Sequence, residues 1–311
     1  MVLQAGLRYP NDASPAEKFD QASARRALDD LFSVARRYNS SAAYFELMQF
    51  IGRFRFYSPF NAMLIHTQMA GARFVATPSR WRDDFSREVK AGARPIVILQ
   101  PMGPVLFVID VAETEAMPGA PSLPPEVECP FEVRQGRITS ELATTIENAK
   151  RDGIRVSERA HGSQRAGSIQ YAPTIETLDV VIGTAVQRVP LRYELLLNTN
   201  LSAESQYATL AHELGHLYCG HLGSPNSKWW PDRQGLPIEI REFEAESACY
   251  LVCTRLGIEN PSAQYLSGYV KKYESTPPIS LDAVLKSALL IEKMGQGRLG
   301  LRKNSSIGGR G

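Results

Sequence analysis

The chain has 311 residues, of which 43% are hydrophobic and 22% are charged, and its formal net charge at pH 7 is +2. These values are ordinary for a globular protein and exclude global disorder, while so small a net charge points to no class of partner. No stretch approaches the roughly 18–20 apolar residues that span a bilayer, and residues 1–18 lack the features of a signal peptide. We therefore expect a cytoplasmic protein without a membrane partner, long enough for two domains.

The first part of the sequence predicts a compact module of helices and strands. Apolar residues recur at helical spacing over residues 14–50, and a second helix is expected from Ser58 to Ala70. Because this second helix is apolar on two sides, we expect it to be well buried. Two strand-like runs follow at residues 95–100 and 105–110, separated by the proline and glycine residues of a turn.

The second part predicts a different order of elements. The proline-rich residues 116–130 are typical of a linker or a surface crossing. A helix near residues 139–151 precedes strand-like alternation over residues 165–198. A long helix then begins near Ser202, a favourable N-cap residue. Its inward-facing stripe is expected to consist of Leu210, Leu214, Leu217 and Tyr218.

These elements place the chain in the α+β class. We divide it into an N-terminal module over residues 1–125 and a second domain over residues 126–295. Residues 296–311 are rich in glycine and have little to bury, so we expect them to form a mobile tail.

The most informative stretch is Ala211-His212-Glu213-Leu214-Gly215-His216. On a helix, His212 and His216 lie one turn apart on the same face, so both imidazoles can reach one zinc ion. Glu213 is then placed to take a proton from a water molecule and hand it to a leaving amine, as in the H-E-x-x-H zinc peptidases. The alternatives are a chance motif on a surface helix and a purely structural zinc site. A structural site would have no use for the base Glu213.

A zinc peptidase needs a third protein ligand, and residues 241–251 offer one. If this segment is a helix, Glu242 and Glu246 share one face, whereas Glu244 points elsewhere. We predict that Glu242 binds the metal and that Glu246 orients a ligand histidine through its free ring N–H, although no argument separates the two. The alternative is a solvated helix face. One zinc ion is expected, and such sites accept other divalent metals.

The other histidine and cysteine residues of this region are expected to lie outside the metal site. A metzincin would need its third histidine at position 222, which is leucine, so His221 is predicted to be a surface or loop residue that could touch substrate. The four cysteines do not make a disulfide framework. Cys249 and Cys253, four residues apart, either hold a metal or face the core, and buried free cysteine is the commoner case.

Two sets of motifs resemble known proteins. Residues 207–216, followed by the helix that carries Glu242 and Glu246, resemble the ImmA/IrrE-type metallopeptidases. Other segments are similar to the ArdC-type antirestriction proteins. They are residues 57–64, Trp81 with residues 89–95, residues 106–111, residues 265–270 and residues 286–294.

This resemblance implies a zincin-like metallopeptidase domain of the gluzincin type, preceded by an α+β domain that binds single-stranded DNA. Proteins of this kind are found on plasmids and other mobile elements, where they protect incoming DNA from restriction. The chain departs from the family pattern at residues 82–85 and keeps its glycine–valine motif only in part at residues 89–92. The spacing from His216 to His221 is also one residue longer than usual.

The composition of residues 46–100 bears on the DNA-binding prediction. This segment has eight basic residues against four acidic ones, a local excess of four positive charges, with aromatic residues between them. A basic groove with aromatic platforms is what single-strand binding requires. The alternative is that the aromatic residues fill a core and the arginines solvate its surface. The residues predicted to contact DNA are Arg53, Arg55, Asn61, Trp81, Lys90 and Arg94.

Three functional hypotheses follow from the sequence. The first is a zinc peptidase that acts on a protein or peptide and carries a single-stranded-DNA-binding domain. The second is a DNA-binding protein that protects DNA without proteolysis, with zinc holding its second domain together. The third is a regulatory peptidase that cleaves one repressor and whose first domain recognises protein.

Overall fold

The structure is a computed structural model that describes residues 38, 40–100, 105–123, 137–160, 167–259 and 261–302. Several predicted features lie outside these ranges in whole or in part. They are residues 14–37 of the helical region predicted over residues 14–50, the turn at residues 101–104, the later part of the linker, Cys129 and the last residues of the tail. Among the described residues, no helix combines the length and the apolar character needed to cross a bilayer.

The described residues of the first part of the chain form three α-helices and five short strands. Their bounds are α1 (Ser41–Arg53), α2 (Pro59–Gln68), β1 (Val75–Ala76), α3 (Pro78–Phe85), β2 (Arg87–Val89), β3 (Ile96–Ile98), β4 (Leu106–Asp110) and β5 (Thr114–Ala116). β1, β4 and β3 form one antiparallel sheet in that order, and β2 pairs with β5. The two predicted strands at residues 95–110 are thus confirmed as a pair. The predicted second helix is also confirmed as α2, which Ser58 caps and which is largely buried.

In the second part, the residues that the structure describes form five strands and five α-helices. Their bounds are α4 (Glu141–Ala149), β6 (Ile154–Arg159), β7 (Gly167–Tyr171), β8 (Thr177–Ile182), β9 (Ala185–Pro190), β10 (Tyr193–Asn198), α5 (Ala203–Tyr218), α6 (Ile238–Leu256), α7 (Pro261–Lys272) and α8 (Leu281–Gln296). β10 is the central strand of a sheet, parallel to β6 and antiparallel to β7. β8 and β9 form a separate hairpin. The chain is a mixed α+β protein, as the sequence predicted.

The helix that carries the H-E-x-x-H motif begins where the sequence predicted. The Ser202 side chain accepts a hydrogen bond from the Ser205 amide at 3.2 Å, which satisfies one of the free N–H groups of the first turn. The predicted stripe of Leu210, Leu214, Leu217 and Tyr218 is buried. Burial of this stripe fixes the rotation of α5 about its axis, so that the opposite face is left for the histidines.

One hydrophobic core contains residues from both parts of the chain, from Tyr44 on α1 to Met294 on α8. A second, smaller core lies between α3 and the β1–β4 strands, around Phe74 and Trp81. The domain boundaries at residues 125 and 295 stay a prediction, since the larger core spans the first of them.

A buried arginine connects the two parts of the chain. The guanidinium of Arg255, near the end of α6, donates to the carbonyl of Ile51 at 3.0 Å, of Phe54 at 3.1 Å and of Tyr57 at 2.7 Å. Arg255 also forms a buried ion pair with Glu292 on α8. The last carbonyls of α1 have no partner within their own helix, so Arg255 supplies the donors they need.

The first residues of the predicted tail make contacts with the rest of the chain, and the mobility of the tail stays a prediction. The Asn148 side chain donates to the carbonyl of Gly297 at 2.8 Å and accepts from the amide of Leu299 at 2.9 Å. Arg302 pairs with the buried Asp152, and its guanidinium lies over the rings of Trp229 and Trp230. These contacts could not be predicted from the glycine-rich composition, because most of them use backbone groups and one arginine.

Candidate metal centre

His212 and His216 lie on the face of α5 that is turned toward α6. Their Nε2 atoms are 3.1 Å apart, and a proton or a cation must lie between two ring nitrogens this close. Gly215 lies where the two helices pack. A Cβ atom there would meet the backbone of Ala245 on α6, at 3.2 Å from its oxygen and 3.3 Å from its Cα. The glycine therefore allows α6 to come close to the histidines.

Glu242, in the first turns of α6, completes a group of three ligand atoms. Its Oε1 is 3.5 Å from Nε2 of His216, and its Oε2 is 3.6 Å from Nε2 of His212. Two atoms that bind one zinc ion at its usual bond lengths and tetrahedral angle lie about 3.3–3.4 Å apart. The separations of 3.1–3.6 Å among these three side chains fit that arrangement. Two imidazoles and one carboxylate also match the ligand set of catalytic zinc sites.

Glu246 faces the other nitrogen of the His212 ring. Its Oε1 is 3.6 Å from Nδ1 of His212, on the side of the ring turned away from the three ligand atoms. A carboxylate in this place favours the tautomer that leaves Nε2 free for a metal. The geometry has the form that the sequence predicted for Glu242 and Glu246, and the assignment of their roles stays a prediction.

The carboxylates around His212 decide its charge. Burial alone would lower the pKa of His212, but the hydrogen bond with Glu242 and the charge of Glu246 outweigh it and raise this pKa to about 9. Hydrogen bonds with His212 and His216 hold the pKa of the Glu242 carboxyl well below its usual range.

Glu213 lies on the side of α5 that faces β7. Burial raises the pKa of its carboxyl, and the backbone N–H of Ile169 on β7 donates a hydrogen bond to it. Gly167 lets the strand run this close, since a Cβ atom there would lie 2.5 Å from the Thr209 side chain. This contact between β7 and Glu213 could not be predicted from the sequence.

His221 lies in a turn after α5, which agrees with the loop position that was one predicted alternative, but its side chain is buried and not at the surface. Gly220 has a φ of +88°, and the amide of His221 donates to the carbonyl of His216 at 3.0 Å, which is the pattern of a Schellman motif at the end of α5. This turn folds His221 back toward the helix. Its Nδ1 is 3.0 Å from Nδ1 of His216, and its Nε2 is 2.8 Å from Oε2 of Glu244. The spacing of His221 from His216 in the sequence does not indicate this position, because the helix ends between the two residues.

A second group of ligand-type atoms is formed by Cys219, His221 and Glu244. The Glu244 carboxylate in this group already accepts hydrogen bonds from the two terminal nitrogens of the Arg233 guanidinium, at 2.6 and 2.8 Å. A cation would be repelled by that guanidinium, so we assign no metal to this group. Cys249 and Cys253 are buried and free, in agreement with the commoner of the two interpretations.

Two of the residues predicted to contact DNA are in the interior. Trp81 is fully buried, and its indole N–H donates to the carbonyl of Ile109 at 2.8 Å, so its ring cannot stack on a base. The amide of Asn61 is buried and binds the backbone of Leu99 through both its oxygen, at 2.9 Å, and its nitrogen, at 3.0 Å. Both are therefore corrected to core residues that hold the first part of the chain together.

The four predicted basic contacts are at or near the surface. Arg53, Lys90 and Arg94 are exposed, and Arg55 is half-buried. Lys90 donates to the carbonyl of Ala112 at 2.9 Å and stays accessible. Among the aromatic residues of this region, Phe56 has 40% of its surface exposed, whereas Phe54 and Phe74 are core residues. The DNA-binding role of these residues stays a prediction. Fewer aromatic rings are exposed for stacking on bases than the sequence suggested.

Residues 149–255 match the IrrE N-terminal-like domain family, Peptidase_M78. The chain therefore contains an IrrE N-terminal-like domain. This IrrE-like domain includes β6 to β10, α5 and nearly all of α6, and with them every residue of the candidate metal centre. The resemblance of residues 207–216 to ImmA/IrrE-type proteins is confirmed at the level of the family.

The structure is also similar to a solved one, the metal-free crystal structure of the antirestriction protein ArdC from the R388 plasmid. The match has 18% sequence identity, covers 76% of this chain and 81% of that chain, and has a TM-score of 0.32. That protein is of the kind which the N-terminal motifs resemble, but a TM-score this low does not establish a shared fold. No curated protein matches the chain.

The two glutamates on α6 are expected to differ in their effect on metal binding. Replacing Glu242 with Gln should weaken zinc binding by more than the roughly 10–100-fold that a residue orienting a ligand contributes, whereas Glu246→Gln should stay within that range. Competition with a chromophoric zinc chelator measures both affinities under the same conditions. The opposite order would make Glu246 the ligand.

Proposed function

We propose that the IrrE-like domain is a metal-dependent peptidase in which His212, His216 and Glu242 hold one zinc ion and Glu213 is the general base. The observation that carries this proposal is the convergence of three ligand atoms from α5 and α6 beside the half-buried Glu213 of α5. A structural zinc site would be closed by four protein ligands. Among the described residues, three ligand-type side chains meet here, which leaves a position for water.

The residues of the chain divide the chemistry between them. A zinc ion held by these three side chains would supply Lewis-acid catalysis, that is, polarisation of a carbonyl group and of a water molecule. Glu213, whose burial raises the pKa of its carboxyl, would accept the proton of the attacking water and deliver it to the leaving amine. The Ile169 amide holds the Glu213 carboxylate in place, and Glu246 holds the His212 ring.

A peptide is the substrate class that the surroundings favour. β7 lies at the edge of the described sheet, whose order is β6, β10, β7, and it runs beside Glu213. An extended peptide can add to such an edge through backbone hydrogen bonds, which would bring its carbonyl groups near the metal.

The experiment is digestion of a diverse mixture of synthetic peptides by the zinc-loaded protein, read by mass spectrometry. We expect cleavage that stops on removal of zinc by a chelator and returns when zinc is restored. The His216→Ala variant, which lacks one ligand, is the matched control. A wild-type protein that binds one zinc ion and cleaves no peptide or protein would favour a structural role for the metal.

We further propose that the first part of the chain binds single-stranded DNA and that the protein protects incoming DNA from restriction. This rests on the motifs that resemble ArdC-type proteins, on the exposed basic residues Arg53, Lys90 and Arg94, and on the exposed ring of Phe56. Phosphates would be attracted by the basic groups, and a base can stack on an exposed aromatic ring.

Fluorescence anisotropy with labelled single- and double-stranded oligonucleotides tests the DNA-binding proposal. We expect tighter binding of single strands and a strong decrease with salt, because each phosphate contact contributes about 0.7 to the slope of log K against log salt. Joint replacement of Arg53, Lys90 and Arg94 by Ala should lower this slope by roughly 2. The matched control replaces Lys271, Lys272 and Lys286 on α7 and α8. Equal losses in both triple variants, or no binding at low salt, would instead favour recognition of a protein by the first part of the chain.

A further inference from the structure

A chain of buried polar contacts leads away from the candidate metal centre behind His216. Nδ1 of His216 is 3.0 Å from Nδ1 of His221, and Nε2 of His221 is 2.8 Å from Oε2 of Glu244. Oε2 and Oε1 of Glu244 accept hydrogen bonds from Arg233 at 2.6 and 2.8 Å. The side chains of His221 and Glu244 are 1% and 0% exposed, so water does not compete for these contacts.

The chemistry of these contacts fixes where the protons lie. The Glu244 carboxylate, bound to a guanidinium, can only accept, so the proton of a neutral His221 lies on Nε2. Nδ1 of His221 is then an acceptor, and Nδ1 of His216 must donate to it. A neutral His216 with its proton on Nδ1 presents a lone pair at Nε2, the atom that faces Glu242 and His212.

The two histidines of the motif therefore differ in how their Nδ1 atoms are connected to a carboxylate. His212 has a carboxylate, Glu246, at its Nδ1 atom directly. His216 reaches a carboxylate, Glu244, only through the ring of His221. Glu244 is itself fixed, since it also accepts from the amide of Ser280 at the start of α8, at 2.6 Å. The Glu244 carboxylate, to which His216 is connected through His221, is thus held by an arginine side chain and by a backbone N–H at the start of a helix.

We propose that His221 and Glu244 are positioning residues for the metal ligand His216. They hold its ring in one orientation and in the tautomer whose Nε2 atom can bind a metal ion. This inference rests on the proposed metal centre. Residues that orient a metal ligand in this way typically contribute roughly 10–100-fold to metal affinity.

The test measures zinc affinity, by competition with a chromophoric chelator, in three variants of the full chain. His221→Leu removes both hydrogen bonds and should weaken zinc binding by roughly 10–100-fold. In His221→Gln the amide can still accept from His216 and donate to Glu244, so this variant should recover part of the loss. His66→Leu, the same change at another buried histidine in the first part of the chain, is the matched control and should leave zinc affinity unchanged.

Two further readings separate positioning from a role in stability alone. Circular dichroism of the metal-free variants identifies a temperature at which all are folded, and the affinities are compared there. In ¹⁵N NMR spectra of the zinc-loaded protein labelled at histidine, the Nδ1–H signal of His216 should be protected from exchange in wild type and lose that protection in His221→Leu.

The outcomes distinguish this inference from the proposed function. A wild-type protein that binds no zinc would overturn the metal centre, and the positioning role with it. Tight zinc binding by the wild type together with equal affinity and an unchanged His216 signal in His221→Leu would overturn the positioning role alone. A loss in His221→Leu that Gln partly restores supports it.

Discussion

Replacing Glu213 with Gln is expected to lower the rate of peptide hydrolysis by roughly 10²–10⁴-fold, the usual contribution of a positioned general acid–base group. The Gln side chain has nearly the same shape, but it cannot take a proton from water. Zinc affinity should stay close to that of the wild type, because Glu213 lies on the β7 side of α5 and is separate from the three ligand atoms. Initial rates on one cleaved peptide, with zinc content measured on the same samples, give both quantities.

The matched control for this prediction is Glu204→Gln. Glu204 is on the same helix, in its first turn, and is half-buried. This variant should hydrolyse the peptide at the wild-type rate. Unchanged hydrolysis in Glu213→Gln would refute the general-base role, and a parallel loss of zinc would mean that Glu213 supports the metal site itself.

Arg255→Met is expected to lower the free energy of unfolding by about 3–5 kcal/mol, the usual cost of removing one partner from a buried ion pair. The variant would leave Glu292 buried without its cation and would remove the donors from the carbonyls of Ile51, Phe54 and Tyr57. Methionine keeps much of the length of the arginine side chain, so the loss reports on polar contacts more than on a cavity. Urea denaturation followed by circular dichroism measures the change.

Two variants sharpen this second prediction. Arg53→Met makes the same change at an exposed arginine of α1 and should alter stability by no more than about 0.5 kcal/mol. The double variant Arg255→Met with Glu292→Leu removes both charges and should recover part of the loss. A urea midpoint for Arg255→Met equal to that of the wild type would show that the contacts of Arg255 do not stabilise the fold.

The features that could be predicted from the sequence are those that depend on local spacing. His212 and His216 are one helical turn apart, and any helix over them brings their rings to one face. Glu242 and Glu246 follow the same rule on α6, which explains why their common face was predicted although their partners were 30 residues away. The capping residues Ser58 and Ser202 act within one turn of their own position, and both cap the predicted helices.

The features that could not be predicted depend on contacts between distant segments. The sequence contains Gly220, whose left-handed conformation turns His221 inward, but a glycine near a helix end gives no sign of what the next residue will meet. Trp81 illustrates the same limit in the first part of the chain. A tryptophan among arginines looks the same in the sequence whether its ring faces DNA or a core. The indole N–H of Trp81 donates to the carbonyl of Ile109, and this contact with a distant segment places the ring in the core.

The contacts of Arg255 have a practical consequence for dissecting the protein. A fragment cut near residue 125 would expose the faces of α6 and α8 that α1 and α2 cover, and its Arg255 guanidinium would lose four carbonyl partners. α6 carries Glu242 near one end and Arg255 near the other, so damage from the cut would reach the helix that supplies a proposed metal ligand. Separating the two parts to assign peptidase and DNA-binding activity to each would therefore disturb both, and point substitutions in the whole chain are the sounder route.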